Sequence, residues 1–579
     1  MGVLARLRRK LKRQVRAVPR RSRKAARIAI TYGEVAAAVR FDRSKRHQDA
    51  LVMLQDAGRR SPADMRVVRL RAQVLARTGQ MSEALAEASR LAITTGGPKN
   101  QQLQRTLQGR WIETDVAWRP LVPRGSDGPG FEPEPGRVLY LAKESMPHRN
   151  NGYCTRTHET LLAVRGAGRD PIAVTLPGFP SAAEEAGPVA RSSQVDAIEY
   201  HHVMPGAQHL LGSVTWEEYI QLTTSTFARE VRRVRPEVLH AGSGHRGYDL
   251  GLVGQALAEW AGLPWIYEVR SFFETTWTAD ERYAEHAEYY HRRFEAESRV
   301  MRAADAVVTL SGPMRDEIVN EHGIDPGKVF VIPNAVDLER FEVAPRDPAL
   351  RTRLGLDGTF VLGYISNLDH FREGQEVLLE AAARLRGQGL PVSVLLVGEG
   401  RRRAELEARA QALGLGPAAV FAGSVPFDEV PAWYSQIDLF VVPRVPERAG
   451  RMVSPMKPFE AMAMEIPVLV SDLPALVEIA GPGEERSFVF TAGDPQSLAG
   501  RVADLIGHPE ELAKRVAAAG DWVRRERTWA GNGRAFDAVY RFAQERHAAR
   551  TPAARLSMPG SDPLAGPEPG IDPEGEPGC

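Results

Sequence analysis

Two cysteines in 579 residues, Cys154 and Cys579, exclude a disulfide scaffold and a thiolate zinc site. No stretch approaches the roughly 18 uncharged apolar residues of a membrane span, and the first residues lack the apolar core of a signal peptide. The expectation is an enzyme of the cytoplasm, peripheral at most on the inner face of the plasma membrane. No Asp-x-Asp stands before an apolar strand end and no His/Cys ligand spacing occurs, so no metal site and no cofactor are expected. Acids are absent from the first 28 residues, which hold twelve Lys and Arg. The net charge of +2 hides this, because the rest carries 63 basic against 73 acidic residues.

Among those bases Leu4, Leu7, Leu11, Val15 and Val18 recur at helical spacing, the pattern of a helix on an anionic membrane surface. An acidic partner or RNA is open to the same charge, although nucleic acid is not the expected partner, and a solvated basic tail is the plainer alternative. The hydrophobic share of 43% with 26% charged residues is that of ordinary soluble protein, and the length allows three or four domains.

Along the chain, residues 1–30 form the basic amphipathic segment and 31–118 a helical region. In the latter, Asp49-Ala-Leu-Val-Met-Leu returns as Glu83-Ala-Leu-Ala-Glu-Ala after 34 residues, the period of tetratricopeptide repeats. One or two such units do not stand alone, so the region is expected to pack on its neighbour or on a protein partner; a generic helical hairpin fits equally. Residues 119–136 are a Pro/Gly-rich linker. From Arg137 apolar strands alternate with helices, which predicts two doubly wound parallel sheets, 137–333 and 334–525, with ligands beyond the carboxyl ends of the strands. A helix over 526–550 is expected to return to the first sheet. Residues 551–579, with seven prolines and five glycines, are expected to be disordered.

The most informative stretch is Ser454-Pro-Met-Lys-Pro-Phe-Glu-Ala-Met-Ala463, where polar residues interrupt the α/β pattern after the apolar strand ending at Pro443. Lys457 falls at a helix start, placed for a phosphate, and Glu460 three residues on shares its face and could accept from ribose hydroxyls. A nucleotide-sugar satisfies both. The plainer alternatives are a surface lysine and a first-turn carboxylate that caps its helix.

This segment resembles the donor site of retaining glycosyltransferases of the GT-B fold, the large family four (glycosyl transferases group 1), in a subgroup with Ser-Pro-x-Lys-Pro-x-Glu-Ala-Met-Ala. The resemblance spans roughly 137 to 545. It includes His148-Arg-Asn-Asn-Gly-Tyr, similar to the family's glycine loop, and Trp265-Ile-Tyr-Glu-Val-Arg-Ser-Phe-Phe-Glu274, similar to the subgroup's Tyr-Glu-Val-Arg stretch. It implies two Rossmann-like domains facing a cleft, metal-independent transfer from a UDP- or GDP-sugar with retention, and a glycan, lipid-linked or protein acceptor, in cell-surface polysaccharide synthesis. Lys457, Glu460, Arg270 and Glu268 are the implied catalytic residues. Donor contacts are implied for Asn151, Gly152, Arg372, Gly398, Glu399, Gly423, Val425, Ser454, Lys457 and Glu460.

Two departures stand out. Met452 occupies the place of the family's first motif glutamate, which leaves the sugar unassigned. Asn367 and Glu373 occupy the places of the usual arginine and lysine, with Arg372 and Lys457 as substitutes. Glu268 and Arg270 are alternatively an internal ion pair. His240 and His245 are expected near the cleft. Rival functions are a nucleotide-sugar epimerase or hydrolase, and a helical-repeat scaffold carrying a degenerate, non-catalytic transferase domain.

Overall fold

The computed structural model describes residues 23–123, 130–182, 189–278 and 280–550. The basic segment up to residue 22 and the tail 551–579 lie outside the described residues.

The helical region has helices Arg23–Arg43, His47–Arg60, Met65–Arg77, Met81–Thr95 and Pro98–Glu113. Gly96, in the left-handed conformation at φ 61°, ends the fourth, and Pro98 opens the fifth. Small apolar faces interlock between them: Ala50, Met53, Leu54 and Ala57 close on Val67 and Val74. The second cluster, with Leu75, Met81, Ala84 and Leu107, takes in Tyr289 of the following domain. The Ser82 amide and hydroxyl both donate to Glu288 at 2.9 Å, so the region is packed on its neighbour.

The first sheet contains β1 (Arg137–Ala142), β2 (Asp170–Thr175), β3 (Ser192–Val195), β4 (Ile198–His202), β5 (Val238–Gly242), β6 (Trp265–Glu268), β7 (Ala306–Thr309) and β8 (Val329–Val331). Its order is β3-β4-β2-β1-β5-β6-β7-β8, parallel except for the β3–β4 pair. The second contains β9 (Phe360–Ile365), β10 (Val392–Val397), β11 (Ala419–Gly423), β12 (Leu439–Val442), β13 (Val468–Ser471) and β14 (Phe488–Phe490), ordered β11-β10-β9-β12-β13-β14 and parallel throughout. Strands such as Leu439-Phe-Val-Val442 are buried on both faces, which is why they read as unbroken apolar runs.

Both sheets wind outward from an internal strand, β1 and β9. The loops after these strands therefore occupy the switch points, where an open α/β sheet leaves a crevice for ligand. This is the two-sheet Rossmann-like architecture expected from the sequence. The last helix, Trp529–Arg550, crosses back to the first domain, where Phe536, Val539, Tyr540 and Ala543 pack with Val138, Val238 and Ile266. Gly533 permits that crossing, since a Cβ there would lie 2.1 Å from the Ala163 carbonyl oxygen.

Candidate active-site cleft

After β12 the chain makes a short helix, Arg448–Met452, and then the helix Lys457–Ala463. Between them Ser454 is buried, and its carbonyl accepts from Asn334 Nδ2 at 2.7 Å, which ties the loop to the hinge between the domains. Phe459, Ala461, Met462 and Ala463 sink into the second core, so the opposite face of the helix carries Lys457 and Glu460 together. Lys457 is half-buried and forms no ion pair among the described residues. Because the helix has only seven residues, the ammonium rather than the helix end is the cation offered to a ligand. Glu460 does not cap its helix. Its Oε2 accepts from the Tyr434 hydroxyl at 2.7 Å, and burial pushes its carboxyl up, against the opposing pull of Tyr434 and Lys457.

Across the cleft, Gly152 opens the helix Gly152–Gly166, and a Cβ there would sit 3.4 Å from Met456 Cε. The loop after β1 therefore faces the loop that precedes Lys457. Asn151 plays a different part from the one expected. Its Oδ1 accepts from the Tyr153 and Cys154 amides and its Nδ2 donates to Glu144 at 2.8 Å, so the side chain is occupied as the helix cap.

At the carboxyl ends of β9, β10 and β11 the expected glycines converge. Gly398 has φ 139°, a Cβ on it would lie 1.9 Å from the Ser366 carbonyl oxygen, and its amide donates to Gly423 O at 2.8 Å. Glu399 is paired with Arg403 at 2.6 Å, and Val425 packs half-buried against the second core. Arg372 is half-exposed on the turn after β9. Glu373, in the vacated lysine position, is buried beside Tyr364, which donates to it at 2.5 Å, and Arg444, at 3.4 Å; burial opposes its ionisation, but Arg444 leads the cations that hold its carboxyl down to about 2. Arg444 was not found by sequence reasoning. Its one signal is an arginine directly after an apolar strand.

The expected catalytic pair Glu268 and Arg270 is not in the cleft. Glu268 has no exposed surface and accepts from Tyr140 at 2.8 Å, Arg156 at 2.8 Å and Arg270 at 2.8 Å. Arg270 spends its fork on Glu268, Tyr140, Thr157 and the Tyr153 carbonyl, which leaves no donor for a substrate. These residues hold β6 to the helix after β1. His240 is equally internal, fully buried and hydrogen-bonded to the Tyr540 hydroxyl at 2.9 Å, and burial pulls its imidazole down.

His245 does line an opening, a cavity of about 390 Å³ in the first domain, with Lys143, Glu144, Phe179, Trp216 and Tyr219. Lys143 and Glu144 belong to the same β1 loop as Gly152. The aromatic wall was not singled out from the sequence, where the visible signal is the capping box Thr215 to Glu218 that fixes the start of its helix.

Residues 189–340 match the family model for Glycosyltransferase Family 4, and residues 359–508 match that for Glycosyl transferases group 1. Each α/β domain thus carries a match to a glycosyltransferase family model. Over 229 residues the chain is 29% identical to the 2-deoxystreptamine glucosyltransferase of Streptomyces kanamyceticus, a match covering 39% of this chain and 57% of that relative. The chain therefore spans little more than half the length of that curated relative. Sucrose-phosphate synthase from Thermosynechococcus elongatus superimposes with a TM-score of 0.57 at 18% identity, over 71% of this chain and 99% of the other. Anabaena Alr3699/HepE in complex with UDP-glucose does so with a TM-score of 0.51 at 18% identity, over 69% and 98%. At these identities the likeness is one of fold, the GT-B arrangement. Across the cleft between the two α/β domains, the edge bearing Lys457, Glu460 and Arg372 lies on one side and the β1 loop with its aromatic cavity on the other.

Proposed function

We propose that the protein transfers a glycosyl group from a UDP- or GDP-linked sugar to a hydroxyl of a glycan, lipid-linked or protein acceptor, with retention of configuration. The observation that carries this is the pairing of Lys457 and Glu460 on one helix face, opposite Gly152 across the domain cleft. In the reaction the bond from the anomeric carbon to the diphosphate oxygen breaks, the acceptor oxygen bonds to that carbon, and the acceptor proton passes to the departing phosphate. The negative charge that grows on the diphosphate is the one a preorganised cation stabilises best, and Lys457 with Arg372 is assigned that work. Glu460 Oε1, free of hydrogen bonds among the described residues, is assigned the ribose hydroxyls. The acceptor is assigned to the aromatic cavity, which Trp216 and Tyr219 line with the kind of apolar ring that packs against the C–H side of a sugar.

The test is a thermal-shift panel of UDP-, GDP- and ADP-sugars on the full chain and on Glu460→Ala, since bound donor raises the melting temperature by mass action. A shift with one nucleotide, lost in the variant, is expected. No shift with any of them would favour the helical scaffold with a non-catalytic transferase domain.

Cytoplasmic residence at an anionic membrane surface, in the synthesis of a cell-surface polysaccharide, is proposed on the strength of the twelve basic residues without an acid in residues 1–28. Equal flotation with anionic vesicles of the full chain and of a chain lacking residues 2–28 would refute the membrane contact.

A further inference from the structure

The residues lining the aromatic cavity all come from the first α/β domain, but the N-terminal helical region backs one of its walls. One wall is the start of the helix Trp216–Val234, which brings Thr215, Trp216 and Tyr219 to the cavity. The helix Pro98–Glu113 of the N-terminal region presses against that start. A Cβ on Gly109 would lie 2.1 Å from Glu217 Oε2 and 2.8 Å from Thr215 Cβ, so the approach depends on glycine, and Arg105 pairs with Glu218 at 2.8 Å.

Glu113, the last residue of that helix, is fully buried. Its Oε1 lies 2.7 Å from Arg246 Nη1 and accepts from the Tyr289 hydroxyl at 2.9 Å. The Arg246 guanidinium in turn lies over the Trp216 ring, 4.3 Å from its centroid. The residue before it, His245, lines the cavity with its ring centroid 6.2 Å from that of Trp216. The backbone amides of His245 and Arg246 both donate to Asp249, so the loop that carries them is held at its main chain by one carboxylate and at its side chain by another. A guanidinium buried this deeply needs an anion, and among the described residues its ion-pair partner is Glu113, from outside the α/β body.

We propose that the helical region is a working part of the acceptor site, and that Glu113 is a positioning residue which, through Arg246, fixes the Trp216 ring and the His245 loop and so sets the shape of the cavity. The proposal rests on the assignment of this cavity to the acceptor. A helical region that served only as a tether for other proteins would leave the cavity wall indifferent to Glu113.

The experiment uses the full chain labelled with 5-fluorotryptophan, with the Trp216 resonance assigned by Trp216→Phe. In Glu113→Gln the Trp216 resonance is expected to shift or broaden, while those of Trp433 and Trp522 in the second domain stay in place. Glu87→Gln, which breaks an ion pair to Arg71 inside the helical region, is expected to leave all of them unmoved. A folded Glu113→Gln protein with an unmoved Trp216 signal overturns the coupling. Should that variant fail to fold, Arg246→Lys keeps the charge and removes the planar stack, and an unmoved Trp216 there overturns it equally. Donor-induced thermal shifts with UDP- and GDP-sugars are read on the same samples. A retained shift with a displaced Trp216 places the effect on the acceptor side, and absent shifts in the wild type refute the transferase assignment without touching the coupling result.

Discussion

Arg448 of the second domain lies between two carboxylates of the first, with Nη2 2.9 Å from Glu274 Oε1 and 2.5 Å from Glu317 Oε1. Its guanidinium also lies over the Phe272 ring, 5.1 Å from the centroid. This ion triad joins the two domains in the stretch just before Lys457.

Removing the cation would strand Glu274 in a buried position. Arg448→Met is expected to cost about 3–5 kcal/mol, the scale for breaking a buried ion pair from one side. Calorimetry should show the loss as a lower or divided unfolding transition, and an unchanged profile would mean the triad does not join the domains.

Arg270 is expected to matter for stability and not for chemistry. Arg270→Met leaves Glu268 with Arg156 as its remaining arginine and should destabilise by about 3–5 kcal/mol. Protein that remains folded at low temperature should keep its donor-induced thermal shift and its turnover per folded molecule. A selective fall in turnover would return Arg270 to the catalytic machinery.

Lys457→Ala should reduce turnover by about 10²- to 10³-fold, the scale for losing one preorganised group that stabilises transition-state charge. Its melting temperature without donor should stay near that of the wild type, because the ammonium forms no ion pair among the described residues. Wild-type turnover in this variant would remove Lys457 from the mechanism.

Glu297 supplies a pH dependence. Burial, and then the neighbouring acids Glu274 and Asp249, push its carboxyl up to about 8 against the hydrogen bond from Tyr267 and the charge of Arg293. The folded chain thus holds a proton that the unfolded chain gives up near its ordinary value of 4.5. This group's contribution is fully present below that value and is lost as pH rises toward 8, by on the order of 5 kcal/mol. Glu297→Gln should flatten that part of a stability profile measured from pH 5 to 8. An unaltered slope would show that Glu297 is ionised in the folded protein.

The two-sheet plan, the returning last helix and the position of Lys457 and Glu460 were legible because they rest on local signals. Apolar strands buried on both faces, glycines at switch-point turns and a lysine three residues before a glutamate all write themselves into short stretches of chain. Arg270, Glu268 and His240 were misleading for a related reason. A charged residue at a strand end looks the same in sequence whether it faces a crevice or a buried partner. What separated the cases was the supply of partners from distant segments: Arg156 and Tyr140 for Glu268, Tyr540 for His240, and for Lys457 no salt bridge among the described residues, only the longer-range pull of Glu373.

The sequence by itself determined which segments form strands and helices, and that Lys457 and Glu460 share one helix, because hydrophobic period and turn chemistry act over a few residues. The tertiary structure alone decided that Glu113 reaches Arg246 and that Arg448 reaches Glu274, across 133 and 174 positions of chain. Such pairings depend on how whole helices and sheets pack, and a buried charge becomes intelligible only when the partner that neutralises it is in place.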